Sequence, residues 1–377
     1  MNEAVQTPAR ARIAALLDAN SFVEIGATVT SRTTDFNMDA KKVPSDGVIT
    51  GYGLIHSRPV YVYSQDSTVL GGSLGEMHAK KILKMYALAL KTGDPVIGLL
   101  DCSGLRIEEG LDSLHAFGKI FKIMSDASGV IPQITAVFGM CGGGMSLLPA
   151  FADFTFMDGE KGQLFVSSPN AILGNTIEKC DTSSADFRSQ TGLADFVGTE
   201  EEILANMREL MDFLPSNNED ATGMLEPAEE LNSIQGDLQQ WVSDPYQILL
   251  RISDKGEVFE VRSAYAPDMV TAFIHLGGHA VGVVANRAAI YGDEGEVKEE
   301  FGTVLTEAGA LKATRFVNMC DAFSIPIITL VNVESMASSM NDEQRLPERA
   351  GRLAFAFANA TTAKISVLTG YAYGTPY

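Results

Sequence analysis

Cysteine and histidine are scarce in this sequence, with four and five residues among 377. The cysteines lie far apart and form no C-x-x-C pair, which argues against a zinc site and against a disulfide-rich secreted fold. The histidines show no spacing with acidic residues that is typical of metal ligands. We therefore expect reduced thiols, a cytoplasmic protein and no metal centre.

Basic residues are also few relative to acidic ones. The 28 lysines and arginines face 48 aspartates and glutamates, so the formal net charge is −20. Such a surface repels nucleic acid and anionic membranes, and we expect neither as a direct partner. An anionic substrate would need a local basic pocket.

Long hydrophobic runs are absent. The segment 1–22 has no apolar core of the signal-peptide type, and no apolar run reaches the length of a bilayer span. Apolar residues still make up 46% of the chain, as is typical of a globular protein. A length of 377 residues favours two domains over one.

Apolar runs of strand length alternate with helical patterns. The runs 60–63, 96–100 and 134–138 are rich in residues that favour β-strands. Strands that alternate with helices predict an α/β layered fold.

A helix is predicted between the first two of these runs. Apolar residues recur every four positions between residues 82 and 90, and Gly93 is placed to end the helix. Ser73 and Glu76 are three residues apart, which predicts a capping box at its start.

The second half of the sequence repeats the plan of the first. Residues of the same type recur 231 positions apart in three pairs, which are Pro95 and Pro326, Gly139 and Gly370, and Gly143 and Gly374. Further upstream, Asp46 resembles Asp268 at an offset of 222. We infer two homologous domains in tandem, 1–215 and 238–377. The segment 216–237 is rich in Pro, Asn, Gly and acidic residues, as expected of a linker.

Four glycines stand within the six residues 139–144, directly after an apolar run. The spacing fits neither G-x-G-x-x-G nor a P-loop, which argues against a phosphate cradle. Where a strand leads into a helix, the first N–H groups of the helix are unpaired and form the positive end of the helix dipole. We interpret the cluster as an oxyanion hole, with a close helix–strand crossing as the alternative. Two such clusters at one offset favour a reaction with two carbonyl partners.

The stretch 71–75 matches the G-x-S-x-G pattern of serine hydrolases around Ser73. No aspartate and histidine follow in the order and spacing of a triad. We favour a helix-capping role for Ser73, and a hydrolase that uses Ser73 stays an alternative.

Six stretches together resemble the carboxyltransferase subunits of biotin-dependent acyl-CoA carboxylases and sodium-pumping acyl-CoA decarboxylases. They are GGSLGEMHAKKI, DCSGLRIEEG, SGVIPQITAVFGMCGGG, LPSNN, CDAFSIPIITLVNV and FANATTAKISVLTGYAYGTPY. The family includes propionyl-CoA carboxylase β chains and the subunits of glutaconyl-CoA and methylmalonyl-CoA decarboxylases. The resemblance implies two tandem crotonase-type (ClpP-like) domains built as β-β-α superhelices.

The resemblance also implies a site. Gly143 and Gly144 would hold the thioester oxygen of acyl-CoA, and Gly374 and Thr375 would hold the ureido oxygen of biotin. The residues expected along the CoA site are Gly72, Ser73, Gly104 and Arg106. CO2 would pass between the biotin and the acyl α-carbon through enolates, without a side-chain nucleophile.

Arg106 is the candidate cation of this site. An acidic protein that binds an anionic CoA ester needs positive charge near its pocket. Arg106 could equally form a surface ion pair with the neighbouring Glu108 and Glu109.

The family's organisation implies several partners. Biotin would be carried by a separate biotin carboxyl carrier protein, and a biotin carboxylase or a membrane decarboxylase subunit would complete the complex. The resemblance places the active site across the interface of a dimer-based homo-oligomer. The protein would be cytoplasmic, or attached peripherally to a membrane complex.

The second half departs from the family pattern. Residues 334–337 stand where a Pro-Gly-Phe loop is usual, and Thr375 stands where glycine is usual. Pro376 has no N–H group and cannot donate to a carbonyl. Family members continue beyond the second glycine turn, so the domain 238–377 is expected to be truncated at Tyr377. A degenerate subunit that binds acyl-CoA without catalysis is therefore an alternative.

Overall fold

The chain divides into two compact units, Met1–Met211 and Asp212–Tyr377. The computed structural model describes residues 7–32, 45–221, 236, 238–292 and 295–377. Most of the predicted linker 216–237 lies outside the described residues, so the predicted domain boundaries stay a prediction. None of the described helices combines the length and the apolar character that crossing a bilayer requires.

The first unit is built on eight strands and seven helices among the described residues. The strands are β1 (Val23–Glu24), β2 (Val48–Ile55), β3 (Arg58–Gln65), β4 (Val96–Cys102), β5 (Gln133–Gly142), β6 (Phe154–Asp158), β7 (Gln163–Phe165) and β8 (Phe196–Gly198). The helices are α1 (Pro8–Leu16), α2 (Glu76–Thr92), α3 (Gly110–Ala127), α4 (Leu148–Phe151), α5 (Leu173–Glu178), α6 (Ala185–Gln190) and α7 (Glu200–Phe213).

These strands form one mixed sheet in the order β1-β2-β3-β4-β5-β6-β8, and β7 pairs with the last residues of β5. The first three strands are antiparallel, whereas β3 to β6 run parallel. Residues of α2 and α3 pack on one face of the sheet and form a hydrophobic core with Leu100 and Val137. The predicted strands 60–63, 96–100 and 134–138 are confirmed as parts of β3, β4 and β5.

The predicted helix is confirmed as α2, but its predicted capping box is wrong. Gly93 ends α2 in the left-handed conformation, with φ of +74°. The helix starts at Glu76 after Gly75, which has no side chain to cap it. Glu109 performs this role from a neighbouring loop, because its carboxylate accepts a hydrogen bond from the Glu76 N–H at 2.6 Å. A sequence pattern cannot show a cap supplied from so far along the chain.

The second unit has nine strands and three helices among its described residues. The strands are β9 (Val258–Glu260), β10 (Met269–Leu276), β11 (His279–Asn286), β12 (Ala289–Tyr291), β13 (Val297–Glu300), β14 (Val304–Leu305), β15 (Ile327–Val333), β16 (Ser335–Met336) and β17 (Lys364–Ala372). The helices are α8 (Pro245–Ile252), α9 (Glu307–Ala322) and α10 (Met340–Asn359).

The sheet of the second unit repeats that of the first. Its order β9-β10-β11-β15-β17 has the same parallel and antiparallel pairs as β1-β2-β3-β4-β5. Even the register is kept, since Val96 pairs with Gln133 and Ile327 pairs with Lys364, each residue 231 positions from its counterpart. The predicted repeat is therefore confirmed as a structural one.

Candidate functional site

Two glycines of the cluster at the end of β5 are required by close packing. A Cβ on Gly139 would overlap with the carboxylate of Asp101 at the end of β4. A Cβ on Gly142 would lie 2.8 Å from the ring of Phe165, the residue with which Gly142 pairs in β7. These two glycines let neighbouring side chains approach the strand.

Gly143 has a different reason to be glycine. A Cβ at this position would meet nothing within 4 Å, but its φ of +59° disfavours every other residue type. At Gly144 a Cβ would lie 3.2 Å from the ring of Phe117 in α3. The backbone turns sharply at Gly143 and leaves open space beside it.

The turn places Gly143 and Gly144, the predicted donors of an oxyanion hole, at the start of a helix. A 3₁₀ helix starts at Gly143 and leads into α4. The first N–H groups of a helix have no acceptor within that helix, and both Gly143 and Gly144 are exposed to solvent. The Gly143 carbonyl accepts a hydrogen bond from Ser146 Oγ at 2.7 Å, which holds the turn in place. The predicted strand-to-helix corner is therefore present.

The second unit builds its glycine turn in the same way. Gly374 has φ of +63°, is exposed, and follows β17 as Gly143 follows β5. A Cβ on Gly370 would overlap with the side chain of Asn332, just as one on Gly139 would overlap with Asp101. Thr375 is exposed beside Gly374. The two turns therefore share a positive φ, and the strands that lead into them share the close approach of a neighbouring side chain.

Gly72 and Gly104 lie in the loops that follow β3 and β4. Both have positive φ, +65° and +109°. A Cβ on Gly72 would overlap with the carbonyl oxygen of Asp101, and one on Gly104 would lie 3.4 Å from the Gly142 carbonyl oxygen. The loops after three parallel strands thus meet at their carboxyl ends, where ligands of open α/β sheets commonly bind.

Arg106 is not at the surface. Its side chain is 1% exposed and its guanidinium contacts two carboxylates, Asp46 at 2.5 Å and Glu109 at 2.9 Å. It also donates to the Ser73 carbonyl oxygen at 2.7 Å and to Ser73 Oγ at 3.3 Å. Arg106 therefore pairs with Glu109 as the alternative expected, but in the interior instead of at the surface. Its burial does not fit a cation that lines the CoA site.

Ser73 is buried and its hydroxyl contacts Arg106. A guanidinium only donates hydrogen bonds, so it cannot take a proton from Ser73 as a general base would. Among the described residues, the histidine bonded into this corner is His78, which contacts Gln65 and the Asp46 carbonyl oxygen. The hydrolase alternative has no support from this geometry.

Sequence reasoning missed the other members of this polar network. Burial raises the pKa of Asp46 although Arg106 opposes it, and burial lowers the pKa of His78 well below its ordinary value. Lys81 donates to the carbonyl oxygens of Ser45 and Val48, and burial lowers its pKa to about 8. For Asp46, the signal in the sequence was its recurrence as Asp268.

Each unit holds a cavity lined by residues near its glycine turn. In the first unit, Met140 and Phe165 line a largely polar cavity of ≈ 460 Å³ together with the hydroxyl and amide side chains of Ser168, Asn170 and Thr176. In the second unit, Thr375 and Pro376 line a more apolar cavity of ≈ 640 Å³ against the sheet and α10. Within the described residues, no group of three His, Cys, Asp or Glu side chains is placed to hold a metal ion.

Known proteins are similar to this chain in sequence. The model of the carboxyl transferase domain matches residues 3–377. The methylmalonyl-CoA decarboxylase subunit alpha of Veillonella parvula is 38% identical, over 98% of this chain and 73% of that protein. The propionyl-CoA carboxylase beta chain of Roseobacter denitrificans is 37% identical over 98% of this chain and 73% of its own.

A solved structure agrees with these relatives. The hexameric transcarboxylase 12S core, crystallised with hydrolysed methylmalonyl-CoA, superposes with a TM-score of 0.88 at 35% identity, covering 96% of this chain and 71% of that one. The expected pair of crotonase-type domains is thereby confirmed. The chain belongs to the carboxyl transferase domain family, the carboxyltransferases of acyl-CoA carboxylases and decarboxylases.

Proposed function

We propose that this chain transfers a carboxyl group between biotin on a separate carrier protein and the α-carbon of an acyl-CoA. The observation that carries this proposal is the pair of matching glycine turns, with Gly143 and Gly374 in the same left-handed conformation. A reaction in which two carbonyl oxygens become anionic in turn requires two sets of donors. Carboxyl transfer between biotin and an acyl-CoA, the reaction of this family, is such a reaction, and the two glycine turns supply the two sets of donors.

In the first unit, the amides of Gly143 and Gly144 bind the thioester oxygen of the acyl-CoA. Both residues are exposed at the start of a helix, where N–H groups point outward and the dipole favours negative charge. As the α-carbon loses or gains its carboxyl group, the thioester oxygen carries the enolate charge. Each preorganised donor contributes about 3 kcal/mol to such a transition state.

In the second unit, the amides of Gly374 and Thr375 fit the ureido oxygen of biotin. Biotin supplies a ring nitrogen that carries the carboxyl group between the two partners. Both residues are exposed, and the turn opens beside the apolar cavity that Pro376 lines. Because Pro376 has no N–H, the donors at this turn are limited to its two predecessors.

The acyl group is proposed from the relatives. The Veillonella relative is named for methylmalonyl-CoA and the Roseobacter relative for propionyl-CoA, two esters that differ by one carboxyl group. We infer that this pair is the substrate and product of the present chain. Its partners are then a biotin carrier, a biotin carboxylase or membrane decarboxylase subunit, and further copies of the chain.

Decarboxylation of methylmalonyl-CoA with added free biotin tests the proposal. We expect CO2 and propionyl-CoA to form only when biotin is present. Gly143→Val should abolish this turnover, because a branched side chain cannot hold a φ of +59° and would fill the space beside the amides. Gly118→Ala is the matched control, since a Cβ at this helical glycine of α3 meets nothing within 4 Å.

Two results would contradict the proposal. Full turnover in the Gly143→Val variant would remove the first turn from the mechanism. Tight binding of the CoA ester by calorimetry, without biotin-dependent turnover, would favour the non-catalytic subunit instead.

A further inference from the structure

We propose that Arg106 is a positioning residue that holds the first glycine turn in place and does not itself touch CoA. This inference rests on the proposed function and assigns a role to one buried ion-pair network. The network consists of Arg106, Asp46, Glu109 and Ser73, and all of its side chains are at most 8% exposed.

The network joins three segments around the turn. Arg106 follows the loop that contains Gly104, Ser73 precedes α2, and Asp46 precedes β2. Gly104 in turn lies against the Gly142 carbonyl, one residue before Gly143. A shift of the Arg106 loop would therefore reach the glycine turn directly.

The second unit builds the same corner without an arginine. Leu74 and Leu105 form a parallel bridge in the first unit, and Leu305 and Met336 form its counterpart in the second. The Arg106 N–H donates to the Leu74 carbonyl at 3.0 Å, and the Ala337 N–H donates to the Leu305 carbonyl at 2.9 Å. Ala337 thus occupies the place of Arg106, and the backbone path is unchanged.

A threonine satisfies the buried aspartate in the second unit. Thr306 Oγ1 donates to Asp268 at 2.7 Å and accepts from the Gly309 N–H at 2.9 Å, so it also caps α9. Its counterpart in the first unit is Gly75, where a Cβ would overlap with Arg106 and Glu109. The arginine network and the capping threonine are two exclusive solutions for one corner.

The comparison shows that the fold does not need the arginine. Burying a guanidinium and two carboxylates costs desolvation energy, and replacing such networks is often neutral for stability. The first unit nevertheless keeps the network. The network lies next to the Gly143 turn, which binds the acyl-CoA in the proposed mechanism. Precise placement of the Gly143 amides is the function that such a rigid network serves, because an error of about 1 Å in a reacting geometry costs roughly 100-fold in rate.

The test transplants the solution of the second unit into the first. The triple variant Gly75→Thr, Arg106→Ala, Glu109→Met copies the side chains of Thr306, Ala337 and Met340. We expect it to fold with a melting temperature lowered only by the loss of the Glu109 cap on the Glu76 N–H, a cap that Asp342 supplies at the equivalent Glu307 N–H of the second unit. In the folded variant, kcat for methylmalonyl-CoA should fall by about 10-fold or more. KM for the CoA ester and its dependence on salt should stay unchanged. Glu108→Met, which removes the exposed neighbouring carboxylate, is the matched control and should keep the parent kcat.

Two outcomes would overturn the inference. If kcat is retained and KM rises with a weaker salt dependence, Arg106 contacts the CoA phosphates. If kcat, KM and the salt dependence of KM are all retained, the network has no role in the reaction.

A measurement without turnover separates this inference from the proposed function. Hydrogen exchange of the amides in the loop 103–110 should be faster in the triple variant than in the parent, because the loop has lost its anchor. Unchanged exchange would refute the positioning role even if the parent chain proved inactive with every ester. If the triple variant does not fold, Arg106→Lys serves in its place, since lysine keeps the charge but cannot contact Asp46, Glu109 and Ser73 together.

Discussion

Asp18 and Asp254 hold equivalent hairpin turns in the two units. Each carboxylate accepts a hydrogen bond on each of its oxygens from the two consecutive amides of the turn, at distances of 2.7 to 3.2 Å. The amides are those of His56 and Ser57 in the first unit and of Gly277 and Gly278 in the second. All four turn residues have positive φ, as a two-residue type I′ hairpin turn requires, and the aspartates satisfy the amides of these turns.

Replacing Asp18 should make the melting temperature less dependent on pH in the acidic range. The backbone N–H of Ser57 and the side chain of Arg208 lower the pKa of Asp18. A lowered folded pKa stabilises the protein above the ordinary value of about 3.9, and this contribution is lost as the pH falls below it. Asp18→Asn should therefore lower the melting temperature at pH 7, and the difference from the parent should shrink towards pH 3.

Thermal melts from pH 3 to 7 measure this effect. Glu178→Gln, on the exposed face of α5, is the control and should follow the parent curve. A constant difference between Asp18→Asn and the parent at all pH values would contradict the proposed ionic anchor.

Gly139 and Gly143 should respond differently to alanine. Gly139→Ala drives a Cβ into Asp101, so we expect a loss of about 1–3 kcal/mol in unfolding free energy. Gly143→Ala meets no atom within 4 Å and carries only the strain of its φ, about 1–2 kcal/mol, but it should reduce turnover strongly. Urea unfolding and turnover measured on both variants separate packing from function. Equal losses of turnover per kcal/mol of stability would mean that Gly143 matters only for the fold.

Lys81 should make stability rise with pH in the alkaline range. Burial lowers its pKa to about 8 in the folded chain, whereas an unfolded lysine titrates near 10.4. Between these values the unfolded chain binds more protons, so stability increases from about pH 8 to about pH 10. Lys81→Met should remove the part of this rise that Lys81 contributes.

The second unit offers the matched case. Lys312 lies 231 residues after Lys81, is also buried, and has a pKa lowered to about 8. Lys312→Met should reduce the rise of stability between about pH 8 and about pH 10, whereas replacement of the exposed Lys84 by methionine should not. A parent protein whose stability is flat from pH 8 to 10 would refute both.

Ser73→Ala distinguishes a carboxyltransferase from a serine hydrolase that uses Ser73. Ser73 accepts from Arg106 but makes no cap, so we expect a loss of about 1–2 kcal/mol and retained carboxyl transfer. Hydrolysis of the CoA ester by the parent without biotin, lost in a folded Ser73→Ala variant, would restore the hydrolase. Urea unfolding and turnover assays with and without biotin, on one preparation, decide between the two outcomes.

The amino-acid sequence by itself determined the tandem repeat, three strands of the first sheet and the position of both glycine turns. These features follow from local patterns, since apolar periodicity specifies an element and left-handed φ selects glycine. The offset of 231 residues then carried the assignments from one unit to the other. The family motifs and the acyl-CoA chemistry were also readable from contiguous residues.

Only the tertiary structure decided how the side chains around those turns are used. It showed that Gly139 and Gly142 serve packing while Gly143 makes the turn, and that Glu109 caps α2 in place of Ser73. It also placed Arg106 in the interior against Asp46, which lies 60 residues away in the chain. Whether a charged side chain faces solvent or a buried partner depends on segments that meet only after folding, and no local pattern encodes that meeting.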